Sequence, residues 1–191
     1  LHLTNAVSGA VNIAETDALL IDQVDQDGST VDVSGTTLTV VNGGTGIAST
    51  TGAITLDASA DINVNDTITS TSGAITVGAD NDVLFTGGSI TSTSGPVTVT
   101  ADDDAVADAG AGGVLTMDNA SSINAGSGSI DLSADESVTV AGVTTTNAGV
   151  TTTTDAVTIT TASGAVIDGS GDGTVDVTAN SGLLTISAQT G

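Results

Sequence analysis

The residues best suited to chemistry in this chain are aspartates, and they gather beside glycines. Asp22, Asp25 and Asp27 precede Gly28 in DQVDQDG, Asp80 and Asp82 flank Asn81, and Asp168, Asp172 and Asp176 fall within DGSGDGTVD. Hard carboxylate oxygens on tight glycine turns are what calcium selects, so these residues are candidate calcium ligands. The alternative is that Asp fills turns because its side chain bonds the local backbone. DGSGDGTVD looks like a single partial copy of the glycine-rich calcium nonapeptide, whereas a full calcium roll needs several in tandem. A further run, Asp102, Asp103, Asp104 and Asp108, offers the paired carboxylates that glycoside hydrolysis uses. No Trp or Tyr is present to stack a sugar ring, and the run reads as a solvated loop. His2 has no apparent nucleophile or ligand companion and reads as an exposed terminal residue. No catalytic residue is expected, and calcium is the sole candidate cofactor.

Composition removes most other classes. The chain has 191 residues, 23 Asp plus Glu and neither Lys nor Arg, a formal net charge of -23. Such a surface repels nucleic acid and anionic membranes, and its natural partners are cations, divalent ones included. Hydrophobic residues nevertheless make up 38% and mean hydropathy is +0.32, so the low-hydrophobicity signature of disorder is missing. Val, Ile, Leu and Ala supply nearly all of this, with Phe85 the single aromatic residue and Met117 the single methionine, which calls for a thin, repetitive core. Only Glu15 and Glu136 are glutamates; the other acids are Asp, and Thr and Val abound, so helices are disfavoured and strands favoured. Cysteine is absent, which removes disulfides and thiolate metal sites. No apolar stretch reaches the ~18 residues of a membrane span. The opening LHLTNAVSGAVNIAETD has neither Met nor a basic segment, and the chain reads as a mature or excised piece of something longer.

Repeats then set the architecture. Aligning residues 51–71, 72–93 and 94–104 puts Gly52, Gly73 and Gly95 in phase, 21 and 22 residues apart, each followed by apolar-Thr-apolar. The phrase returns at 128–146, 149–162 and 181–191. Within a unit, AITLDA, DINVND and TITSTS alternate apolar and polar residues between Gly, Asp, Asn or Ser, giving three short strands. Three-strand units without a helix can pair only by stacking each strand on its counterpart in the next unit. The expected fold is therefore all-β: a parallel, triangular, right-handed β-helix with coils of 21 to 22 residues, a single domain over 1–191. Ile54, Leu56, Ile62, Val64 and Ile68 should point inward and stack on Ile75, Val77, Val83, Phe85 and Ile90. The interval from Gly95 to Gly128 marks 102–113 as an insertion at one corner, and the glycines at 149, 164 and 182 mean either smaller coils toward the C-terminus or a register that these glycines do not mark. Residues 15–50 resist phasing.

The repeated GAIT-apolar phrase, TGAITL at 51–56 and SGAITV at 72–77, and its relative SGSIDLSADESVTV, over roughly residues 50–190, resemble the β-strand repeats of large bacterial secreted surface proteins, the filamentous-haemagglutinin-like adhesins. The resemblance implies an exported rod for adhesion, biofilm matrix or cell-surface structure, with a host-cell or matrix surface as partner and no catalytic residue. That family commonly carries some Lys and Arg, which this chain lacks. Alternatives are an ice-binding solenoid using Thr69/Thr71, Thr91/Thr93 and Thr144/Thr146, a phage fibre, and a β-helical polysaccharide-active protein. Asn65 and Asn119 fit the N-glycosylation pattern. Both ends look uncapped, with Leu1 and Leu3 at one and Leu184 and Ile186 at the other, and end-to-end self-association is expected.

Overall fold

The computed structural model describes residues 1–6, 9–102, 112–146, 155–171, 173, 176–180 and 182–189. Its strands, numbered β1 to β23 in chain order, recur in three kinds and form three parallel sheets, two of eight strands and one of seven. Sheet A holds β1 (His2–Asn5), β4 (Gln23–Gln26), β7 (Gly46–Ser49), β10 (Thr67–Ser70), β13 (Ser89–Ser92), β16 (Ser122–Asn124), β19 (Gly142–Thr145) and β22 (Val177–Ala179). Sheet B holds β2 (Val11–Ala14), β5 (Val31–Gly35), β8 (Ile54–Ala58), β11 (Ile75–Ala79), β14 (Val97–Ala101), β17 (Ile130–Ala134), β20 (Val157–Thr161) and β23 (Leu184–Ala188). Sheet C holds β3 (Leu19–Ile21), β6 (Leu38–Val40), β9 (Ile62–Val64), β12 (Val83–Phe85), β15 (Leu115–Met117), β18 (Val138–Val140) and β21 (Val166–Asp168). The chain visits A, B and C in turn, so every ladder joins one coil to the next: a β-solenoid without a helix among the described residues.

Alternation sends every second side chain inward, and parallel register stacks like on like. Ile54 and Leu56 pair with Ile75 and Val77, Ile62 and Val64 with Val83 and Phe85, and Ile68 with Ile90, all as expected and all buried. Phe85 lies between Val64 and Met117, so the largest side chains occupy one column. Each fully buried aliphatic side chain contributes roughly 1.5–3 kcal/mol.

The corner between sheets A and B explains the repeating Ser-x-x-Gly. Ser70 and Ser92 face inward at the ends of their strands, and their hydroxyls accept the N–H of Gly73 (2.9 Å) and Gly95 (2.8 Å), closing the turn. A Cβ on Gly73 would run into the Gly52 carbonyl, one on Gly95 into that of Gly73, and one on Gly128 into that of Gly95. These glycines stack so closely that no side chain fits.

The coil register corrects one expectation, phases residues 15–50 and places the 102–113 interval. The C-terminal coils are larger, not smaller: Ile130 pairs with Val157 and Val157 with Leu184. Gly164 lies at the B–C corner against Glu136, so it never marked the start of a coil, and Gly149 lies outside the described residues. Residues 15–50 form ordinary coils whose pattern is obscured, because Leu20 faces outward between Leu19 and Ile21 and Gln26 faces inward. The 102–113 insertion joins β14 to β15 at the B–C corner; of it, 103–111 lie outside the described residues.

Candidate functional site

Outward chemistry depends on which sheet or corner a residue occupies. The B–C corner collects acids coil after coil: Glu15 and Asp17, Asp61, Asp80 and Asp82, Asp102, then Asp135 and Glu136. A shallow groove of about 490 Å³ runs along this edge, lined by Glu15, Thr16, Ser34, Gly35, Thr36, Asp57, Ser59 and Asp80. Carboxylates, hydroxyls and backbone are what it offers, a setting that concentrates cations.

Several of these carboxylates are structural. Asp61 accepts the side-chain amide of Asn81 (2.6 Å) and the N–H of Asp82 (3.3 Å), and Asp82 accepts the N–H of Val114 (2.9 Å). At the C–A corner Asp66 accepts Gly43 N–H (3.1 Å) one coil back and its neighbour Thr67 N–H (2.8 Å). Asp118 does the same for Gly87 N–H (3.0 Å), and also accepts from Ala120 N–H and the Ser121 hydroxyl (2.5 Å). The Ser121 hydroxyl, with the backbone donors, holds the Asp118 carboxyl below the usual range. Gly43 and Gly87 adopt φ of 92° and 68°, the left-handed region, which turns their N–H groups toward these acids. An Asp on one coil thus caps a glycine turn on the coil before it, a signal that requires the coil alignment before it can be read from sequence.

The aspartates proposed as calcium ligands fall in three places. Asp22 sits between β3 and β4 and contacts His2 Nδ1 at 3.2 Å; Asp25 points outward from β4, and Asp27 is exposed in the turn beyond. His2 therefore does have a partner, though both side chains are more than half exposed or nearly so. Asp80 and Asp82 lie on the acidic edge. Asp168 and Asp176 do come together, and Asp172 lies outside the described residues. Asp168 accepts the N–H groups of Ser170 and Gly171, each at 2.9 Å; with the Gly171 bond foremost and Asp176 next, its carboxyl is held below the ordinary range. Among the described residues no three His, Cys, Asp or Glu side chains converge as a metal cage would require.

Of the threonine pairs, Thr69, Thr91 and Thr144 lie on the outer face of sheet A, while Thr71, Thr93 and Thr146 fall just past the strand ends. Among the described residues no helix is long and apolar enough to cross a membrane. Compared with protein-family models, with curated proteins and with solved structures, the chain matches none.

Proposed function

We propose that this chain is a section of an extracellular structural or adhesive rod, kin in design to the filamentous-haemagglutinin-like adhesins, whose coils continue end to end. The observation that carries the reading is the unbroken parallel stacking of like residues, coil on coil, in three sheets, and the last coil keeps the same register. Leu184 and Ile186 occupy the inward register of β23, directly beyond Val157 and Ile159, yet are 39% and 52% exposed where those partners are fully buried. Leu3, Ile13 and Leu19 stand half-covered at the first coil. Unpaired strand edges and open apolar columns are completed by a further coil, supplied by flanking repeats of the same polypeptide or by another copy. The acidic edge suits a saline, divalent-rich exterior, calcium included, because cations screen it. A rod also needs no catalytic group, and the reading here is of a non-enzyme. Antibodies against the purified chain are expected to label intact source cells, and deleting the segment to reduce their attachment to surfaces while leaving growth unchanged. Label found solely inside lysed cells would refute the reading.

A further inference from the structure

The outer face of sheet A carries no charge across the middle of the rod. From β7 to β19 its outward positions are Gly46, Thr67, Ser89, Ser122 and Gly142 in one column and Ala48, Thr69, Thr91, Asn124 and Thr144 in the next. The adjoining A–B corner adds Thr50, Thr71, Thr93 and Thr146, each exposed. The carboxylates bordering this face, Asp66 and Asp118, are turned into backbone N–H groups. The face of sheet B, by contrast, carries Asp32, Asp57 and Asp131 and leads to the acidic edge.

We propose that sheet A is a lateral pairing surface whose occupant is the same face of a second copy. A molecule of net charge -23 is repelled by its own kind from every charged side, so close approach is cheapest where charge is missing. Desolvation is cheap there too, because the hydroxyls of Thr67 and Thr69 already reach the carbonyls of Thr45 and Ile47 at 3.4 Å. Registered ranks of small side chains also interdigitate when two such faces meet. Five rungs ~4.8 Å apart over a width of ~17 Å give about 400 Å² per copy, or near 800 Å² for a pair, short of the ~1,000 Å² of specific interfaces. A single pair of chains therefore binds weakly. In a rod extended as proposed above, the face recurs along the axis and the contacts act together.

The absence of native cysteine permits a direct test, made in an Ile186→Asp background so that axial growth does not contribute. Thr91→Cys places a thiol at the centre of the face, and Thr76→Cys places one equally exposed on sheet B of the same coil. In about 0.5 M sodium chloride, where screening is short-ranged, Thr91→Cys is expected to form a disulfide-linked dimer at least tenfold faster. Adding Thr69→Asp and Thr144→Asp should bring its rate down to that of Thr76→Cys. Equal rates for the two single cysteines, or no effect of the added aspartates, overturn the pairing surface while leaving the rod reading untouched.

Discussion

Asp131 stands in a column of threonines, paired with Thr98 on one side and Thr158 on the other. Desolvation by the neighbouring rungs raises its carboxyl above the usual range even though the side chain faces water. A carboxyl with a raised folded-state pKa stabilises the fold when protonated, and that contribution is lost as pH rises through the folded-state value. At neutral pH the native residue is therefore the costlier one. Asp131→Thr is expected to melt slightly higher at pH 7, by a few tenths of a kcal/mol given its exposure. The difference should vanish near pH 3, below the ordinary carboxyl range of about 4; an equal melting temperature at both pH values would count against it. Inward positions were readable one residue at a time, since period-2 alternation alone selects Ile54, Leu56 and their partners. The capping duties of Asp66 and Asp118 were not, because the backbone N–H donors they accept from, those of Gly43 and Gly87, lie one coil away.

At the scale of strands and corners, the glycine column is the feature that fixes coil spacing. Gly73 has no left-handed φ to explain it; what excludes a side chain is the carbonyl of Gly52 one coil back. Gly73→Ala must push two coils apart, and overpacking of this kind costs about 1–3 kcal/mol. Gly9→Ala, with open space around the position, serves as the control and should stay within about 0.5 kcal/mol. Chemical denaturation of both variants checks this, and equal stability would show that the corner yields. The same column made Gly52, Gly73 and Gly95 legible as phase markers in the sequence. Gly164 misled because a glycine packs just as tightly on Glu136 at a different corner, and sequence spacing does not say which corner a glycine serves. Leu19–Ile21 misled in another way: an outward Leu20, 60% exposed, turns an alternating strand into a continuous apolar run.

For the whole molecule, charge and open ends act in opposite directions. Charge on the B face and B–C edge resists association at low ionic strength, and salt removes that resistance. Under the rod reading proposed above, the apolar columns at each end favour axial growth. The direct measurement is electron microscopy of the isolated 191-residue chain at high concentration in about 0.5 M sodium chloride. Eight rungs at ~4.8 Å make one copy ~40 Å long. The account predicts thin particles whose lengths fall on multiples of that value, and predicts that Ile186→Asp, which puts a charge in the exposed inward column of β23, confines them to one multiple. Native particles that stay at a single copy's length at every concentration would contradict it.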